Sequence, residues 1–367
     1  MRYGSLRLIL SLFLSLTTIL VLFACGGGSS SDSSTDSADE PTTTTLRPWI
    51  DTHAHPRGYE TDCTSESCIA AALAVMAEYG VEKTIFMHPP APAAGANPES
   101  ETEIRAVVAQ DPERLFYGAG GNTLNSLIQR TLDDGTAPQQ LQDDFAAALA
   151  EIQAAGDFVS FGETAVLHVS YSPLHAFEET RADTPLFYAL ADYAAAANVP
   201  IDLHMDVVSA EMTTPAFYTN LSVNNPSTLS ENVSGLENLL AYNREARIVL
   251  AHVGRDTTGQ LTAALIDQLL ADHGNLYIQI HPVFGPLHTV NSMVDANGTI
   301  RSQWLTVLEK YPTRAVVGSD NFFAGGSDDG TGLGYVQDFL QQLPADLATA
   351  IGCTNPVTIY NLPSGCD

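Results

Sequence analysis

The chain has 367 residues, with 43 acidic against 15 basic side chains and a formal net charge of −28. A field of that sign keeps a protein soluble and repels polyanions, which excludes nucleic acid as substrate or partner. The length allows one large domain or two small ones.

The first 24 residues read as an export signal and not as a core helix: Arg2 and Arg7 form a basic start, and Leu8 to Ala24 is almost continuously apolar. Leu22-Phe23-Ala24-Cys25 resembles the lipobox of bacterial lipoproteins. That resemblance implies a diacylglyceryl thioether on Cys25, so that contact with a membrane runs through a lipid anchor alone. An ordinary signal peptide or a membrane-spanning anchor is the alternative. Gly26, not Asp, follows the cysteine, which by resemblance to lipoprotein sorting points to an exported lipoprotein at the outer membrane or cell surface, facing the periplasm or the exterior. Residues 26–46 are mostly Gly, Ser, Thr and Asp, with Ala38 and Leu46 as the apolar exceptions, and with Cys25 they make up the segment 25–46. Such a segment buries too little surface to order itself and is expected to be a flexible tether. The folded region is expected over 47–367. Cys63 and Cys68 share a polar loop, and Cys353 and Cys366 bracket the C-terminus. Two local disulfides are the natural pairing in an oxidising compartment. Zinc binding by these cysteines is the weaker alternative, since neither pair has zinc-ribbon spacing.

Apolar, β-branched runs recur along the folded region: Trp49–His55, Val81–His88, Leu115–Gly120, Phe158–Ala165, Val199–Asp206, Ala246–Gly254, Leu276–Pro282 and Arg314–Phe322. They are continuous more than alternating, as strands buried on both faces are. Helical patterns fill the gaps: Ser67–Tyr79, a helix opened by Asn97-Pro98 and running to Gln110, Asp143–Ala155, Pro185–Ala197, Gly235–Asn243, Gly259–Asp272, Gln303–Tyr311 and Gly332–Leu343. This alternation predicts an α/β chain folded as a single (β/α)8 TIM barrel. An open doubly wound sheet would need a Gly-rich phosphate loop after an early strand, and none is present. Long segments follow several strands, namely Asn122–Asp143, Val166–Asp183, Val207–Ser234 and Val283–Arg301, and on that side of a barrel they shape a substrate pocket.

Ionisable side chains embedded in apolar runs are costly unless paired or metal-bound. Five strand ends carry them: His53 and His55, Glu163, His204, His252, and Asp320. On a strand, residues i and i+2 share a face, so His53 and His55 aim two imidazoles at one point. The set predicts a metal site at the C-terminal ends of the strands.

These residues resemble the amidohydrolase superfamily: His-x-His on the first strand, His on the fifth and sixth, Asp on the eighth. Gly298-Thr299-Ile300-Arg301-Ser302-Gln303-Trp304 and Tyr311-Pro312-Thr313-Arg314-Ala315-Val316-Val317-Gly318-Ser319-Asp320 look like the amidohydrolase-related branch that also holds decarboxylases. Asn355 to Leu362 is similar to that branch's closing motif, with Thr358 in place of a basic residue. Gly162-Glu163 is similar instead to the metal-bridging carboxylate of TatD-like members. The resemblance implies one or two divalent ions, zinc first. In the two-ion case His53, His55 and Asp320 hold one ion, His204 and His252 the other, and Glu163 bridges. In the one-ion case His53, His55, His204 and Asp320 bind, His252 assists, and Glu163 supports a ligand. The activity implied is hydrolysis of a small ester, lactone, amide or phosphoester by metal-activated water, with Asp320 moving the proton. A mononuclear non-oxidative decarboxylase, with Arg255 or Arg301 gripping a carboxylate, and a catalytically inert binding lipoprotein are the alternatives. His281, Arg255 and His88 are candidate substrate-binding residues, each with a wall or salt-bridge role as the alternative. His168, His175 and His288 fall in predicted loops as lid residues, and His273 is structural at a helix C-terminus. Oligomeric state has no signal in the sequence.

Overall fold

The computed structural model describes residues 46–56, 66–95, 98–283, 289–323 and 330–366, with only the backbone described for 66–68 and 98–100. The export signal, Cys25, nearly all of the tether, Cys63, the Cys68 side chain and His288 lie outside the described residues.

The expected strands form one curled, parallel sheet. They are β1 (Trp49–His55), β2 (Val81–Met87), β3 (Leu115–Gly120), β4 (Ser160–His168), β5 (Ile201–Met205), β6 (Ile248–Val253), β7 (Leu276–Ile280), β8 (Ala315–Val317) and β9 (Asn321–Phe322). Their order runs β8-β7-β6-β5-β4-β3-β2-β1-β9. Every neighbouring pair in that path is parallel. With helices alternating along the chain, this is an α/β, TIM-barrel-like architecture.

The eighth expected strand, Arg314–Phe322, differs from the sequence reading. It is cut into β8 and β9 by Gly318-Ser319-Asp320. Asp51 causes the break: its carboxylate accepts from Ser319 N at 2.9 Å and Ser319 Oγ at 2.5 Å, taking the place of ladder partners. A Cβ at Gly318 would lie 2.1 Å from Gln279 Nε2 and 2.7 Å from His53 Cβ, so no other residue fits there. Backbone bonds continue on both flanks, from Gly318 N to Ile280 O at 3.0 Å and from Asp320 N to His53 O at 2.9 Å.

The inward face below the site is apolar. Ile50, Ile85, Met87, Val249 and Val316 pack there with Ile359, Tyr360 and Leu362 of the C-terminal segment. That segment is a helix, Asn355–Tyr360, and it caps the end of the sheet opposite the strand C-termini. The outward face packs on helices through Trp49, Phe145, Phe161, Phe187, Trp304 and Phe339, all fully buried. Each such aromatic side chain contributes about 1.5–3 kcal/mol on burial.

The eight expected helices are present, Pro185–Ala197 with unchanged bounds and the others with shifted ends. The third gap holds Gln139–Ala155, longer than Asp143–Ala155. The helix expected from Gly259 begins at Ala263. Asp256 explains the delay: its carboxylate captures Gly259 N at 2.9 Å and Leu261 N at 3.1 Å, and Thr262 then caps the helix by accepting from Leu265 N at 3.1 Å. The long segments also carry structure that the sequence reading omitted: helices Thr123–Ile128 and Ala216–Leu221, the pair Met212–Thr213 and Thr228–Leu229, and the two-residue strand Glu178–Glu179 against β4. Among the described residues no helix is long and apolar enough to cross a membrane.

Cys353 and Cys366 form the expected disulfide across 13 positions. Closing a loop of that size restricts the unfolded chain by about 3 kcal/mol. The Cys353→Ser, Cys366→Ser double variant is therefore expected to unfold at a clearly lower urea midpoint than the oxidised protein. An unchanged midpoint would show that the bridge adds nothing beyond the packing of Ile359 and Tyr360.

Candidate metal centre

The strand C-termini bring together every residue that the sequence reading assigned to metal. Glu163 sits at the middle, 2 % exposed. Its Oε2 faces His53 Nε2 at 3.3 Å and His55 Nε2 at 3.6 Å. Its Oε1 faces His204 Nδ1 at 2.7 Å and His252 Nε2 at 2.9 Å. Asp320 closes the ring from the β8–β9 break, with Oδ1 3.2 Å from His55 Nε2 and Oδ2 3.9 Å from His252 Nδ1. Possible ligand atoms fall into three mutually close groups: His53, His55 and Glu163; His53, His252 and Asp320; Glu163, His204 and His252.

The backbone bends to make this convergence. The β1–β2 register shifts between Asp51 and Ala54, and the β4–β5 register shifts on either side of Thr164–Ala165. Such irregularities re-aim side chains at a sheet rim. His252 and Asp320 hold positive φ values of 57° and 52°. Non-glycine residues in that region are held by their surroundings. For His252 the holder is Gln279 of β7, whose Oε1 accepts from His252 N at 2.7 Å.

Proton accounting shows that the donor set calls for a cation. His55 Nδ1 lies 2.9 Å from the Met87 carbonyl, which can only accept, so a neutral His55 carries its proton on Nδ1. Its Nε2 lone pair then points at the carboxylates of Glu163 and Asp320. His53 repeats the pattern, with Nδ1 3.1 Å from Asp202 Oδ1 and a buried Nε2 that has no hydrogen-bond partner. Lone pairs facing carboxylates repel unless a proton or a metal ion lies between them. The electrostatics agree. Burial opposes charge on His53, yet Asp202 and Glu163 outweigh it and hold its pKa well above the usual imidazole value. Burial likewise opposes charge on His204, and Asp206 and Glu163 push its pKa up to about 10. Burial would raise Glu163, but the surrounding histidines hold it well below the usual carboxylate range. His252 is lowered, burial being the largest cause. Two negative carboxylates ringed by imidazoles fit divalent metal in their midst.

A cavity of about 380 Å³ opens over this centre, lined in part by Glu163, His168, Tyr171, His175, Arg255 and Asp320. Arg255 is not the surface salt bridge weighed as its alternative. Its guanidinium stacks 4.6 Å over the Tyr171 ring, its Nη1 is 4.0 Å from Asp320 Oδ2, and its side chain is only 15 % exposed. Arg301, the other arginine considered for a carboxylate grip, instead donates from Nε to the Ser292 carbonyl at 3.0 Å and does not line the cavity. His281 reaches the centre, with Nδ1 3.7 Å from Asp320 Oδ2, and burial pushes its pKa down to about 3. It stands behind Asp320 and not on the cavity wall. His88 does not line the cavity; its Nε2 lies 3.2 Å from Asn122 Nδ2. His168 ends β4 and does not lie in a loop. His273 caps its helix beside Glu237 at 3.8 Å, as a structural histidine does.

Three supporting residues escaped the sequence reading. Asp202 holds His53, Gln279 holds the His252 backbone, and Asp51 holds Ser319. All three are polar residues inside apolar strands, the same signal that singled out His204. Carboxylates behind metal-binding histidines fix tautomer and ring orientation. Asp202→Asn is therefore expected to weaken zinc binding about 10- to 100-fold, measured by competition with a chromophoric chelator; native affinity would remove Asp202 from this role.

No protein-family model matches the chain, and no curated protein matches it. Solved structures are similar to it at low identity. A probable 2-pyrone-4,6-dicarboxylic acid hydrolase from Acinetobacter baumannii, with citric acid bound, is 14 % identical over 86 % of this chain and 100 % of its own, with a TM-score of 0.48. An amidohydrolase 2 from Bifidobacterium longum subsp. infantis is 15 % identical over 87 % and 100 %, with a TM-score of 0.43. A uronate isomerase from Bacillus halodurans is 12 % identical over 82 % and 70 %, with a TM-score of 0.45. At that distance the chemistry of this chain has to be read from its own side chains.

Proposed function

We propose that the chain is a metal-dependent hydrolase of the amidohydrolase type, acting on a small ester, lactone, amide or phosphoester at a two-ion, zinc-preferring centre. The observation that carries this reading is the division of labour at Glu163: one carboxylate oxygen faces His53 and His55, and the other faces His204 and His252. That is the arrangement of a bridging carboxylate. His53, His55, Asp320 and Glu163 would hold one ion, and His204, His252 and Glu163 the other.

Bound divalent ions supply Lewis-acid polarisation of a carbonyl or phosphoryl oxygen and make water nucleophilic at neutral pH. The protein supplies the rest. Asp320 lines the cavity, and although burial would raise its pKa, His252, His55 and His281 hold it well below the usual range. It is ionised at neutral pH and accepts the proton of the attacking water. As the scissile bond breaks, the same proton passes to the leaving oxygen or nitrogen, and Asp320 returns to its carboxylate form. Arg255, stacked on Tyr171, offers donors to an anionic part of the substrate.

The proposal extends to the fold and the setting. β8 pairs with β7 and β9 pairs with β1, which supports a sheet closed as a (β/α)8 barrel through the bent eighth strand. The lipobox-like Cys25 supports an exported, lipid-anchored enzyme with a small-molecule substrate.

The test is to strip metal with a chelator, reload zinc, and assay lactones, carboxylic esters, amides and phosphoesters. Turnover of at least one class, abolished by stripping and restored by zinc, is expected. Zinc-loaded protein that turns over none of the four classes would overturn the proposal.

A further inference from the structure

A second polar construction stands beside the metal centre and takes no part in the chemistry above. His168, at the end of β4, lines the cavity while 8 % exposed. Its ring lies 4.0 Å from that of His204. Its Nδ1 is 3.2 Å from Glu178 Oε2. Glu178 is 3 % exposed on the short strand that pairs with β4, directly opposite His168.

Glu178 is itself held. Asn125 donates from Nδ2 to Glu178 Oε1 at 2.8 Å and to the Ala91 carbonyl at 2.9 Å. The Asn125 carbonyl oxygen accepts from Ala165 N, on β4, at 2.8 Å. The amide orientation of Asn125 is thereby fixed, and so is the acceptor character of Glu178 Oε1. With Glu178 ionised, His168 donates from Nδ1, and its Nε2 lone pair is what the ring offers to the cavity. Two buried side chains from two elements, Glu178 and Asn125, thus fix one tautomer of one histidine on the cavity wall.

We infer that His168 is a substrate-binding residue that accepts a hydrogen bond through Nε2 from a hydroxyl close to the scissile bond, so that the substrates are hydroxylated esters or lactones. Glu178 and Asn125 are positioning residues. A hydroxyl is the donor favoured over an ammonium group, because Arg255 and the divalent ions that Glu163 and Asp320 would hold place positive charge in the same cavity. The inference deepens the hydrolase reading and rests on it. A site built to bind a hydroxyl discriminates strongly against the analogue lacking it, since the protein acceptor is then desolvated without a partner.

The experiment uses the full zinc-loaded chain at about pH 8.5, where a carboxylate is ionised. Glucono-δ-lactone and δ-valerolactone are compared as substrates, and gluconate and pentanoate as calorimetric ligands. Native protein is expected to favour the hydroxylated member of each pair by about 100-fold or more. His168→Phe is expected to bring the ratio to within about 3-fold, chiefly by weakening the hydroxylated member. Glu178→Gln is expected to lower the ratio, and nitrogen NMR is expected to show His168 shifting from the Nδ1–H towards the Nε2–H tautomer, because the amide oxygen stays with Asn125 and the amide nitrogen then faces Nδ1. Zinc content should stay native in both variants. A ratio unchanged in His168→Phe, an equal loss with both members, or no preference in native protein would overturn the inference. If neither lactone is hydrolysed, the gluconate–pentanoate comparison and the tautomer still decide the role of His168, and the four-class assay decides the hydrolase reading separately.

Discussion

Glu163→Ala is expected to bind one zinc ion per chain where the native protein binds two, and to lose about 10³-fold or more in kcat. The argument starts from the geometry of one carboxylate. Oε1 lies within 2.9 Å of nitrogens of His204 and His252, and Oε2 within 3.6 Å of those of His53 and His55. Without Glu163, the pair His204 and His252 keeps two nitrogens and no anionic ligand, too few for a stable zinc site. His53 and His55 retain Asp320 and can still hold an ion. One ion is therefore lost, not both. The metal-free proteins give an independent reading. There Glu163 is the buried counter-charge to protonated imidazoles, and removing one partner of a buried pair costs about 3–5 kcal/mol. Metal-free Glu163→Ala should melt well below metal-free native protein, and zinc should recover only part of the gap. Elemental analysis decides the matter. Two ions in the variant would leave Glu163 as a support for histidine orientation, and one ion in both proteins would move the site to its mononuclear form.

Much of this arrangement was legible in the sequence because one rule applies to strand and site alike. A continuous apolar run marks a strand buried on both faces, and an ionisable residue within such a run marks a place where burial is compensated. His53, His55, Glu163, His204, His252 and Asp320 all satisfied both conditions. Asp202 satisfied them too, at 0 % exposed, but it stands at the start of its strand and not at the C-terminal end where the candidate ligands lie; Gln279, equally buried near the end of its strand, carries no charge to mark it. What stayed illegible depends on partners distant in sequence. The break in the eighth strand is made by Asp51, 268 positions before Ser319. The helix Thr123–Ile128 is only six residues long, and Asn125 is buried there by joining Ala91, Ala165 and Glu178. No local pattern announces a side chain whose function is to tie three other segments together. The histidines expected in lid loops show the same limit: β4 continues through Leu167, beside Met205 and Glu179, to His168 opposite Glu178.

Asp320→Asn is expected to lower kcat by about 10³- to 10⁴-fold while leaving two zinc ions bound and KM within about 3-fold. Asparagine keeps the size of the side chain and an oxygen able to face a cation, so the ring of His55, His252 and His281 around it need not collapse. It removes the one property that the reaction asks of this position, a negative oxygen that can take and return a proton. His281 cannot substitute, because it lies behind Asp320 and burial pushes its pKa down to about 3. His252 cannot substitute either, because Glu163 Oε1 lies 2.9 Å from its Nε2 and its Nδ1 faces Asp320 itself. The backbone makes the position still less replaceable. Asp320 occupies a left-handed conformation at φ 52°, between a Ser319 tied to Asp51 and a strand that resumes at Asn321. Few residues adopt that conformation readily, and Asn and Asp are the two best suited among those with side chains. The substitution therefore tests charge and proton transfer with little change in fold, which circular dichroism and metal content on the same sample will verify. Native turnover in a folded, two-zinc Asp320→Asn protein would mean that the proton moves through a different group, and the proposed mechanism would fall with it.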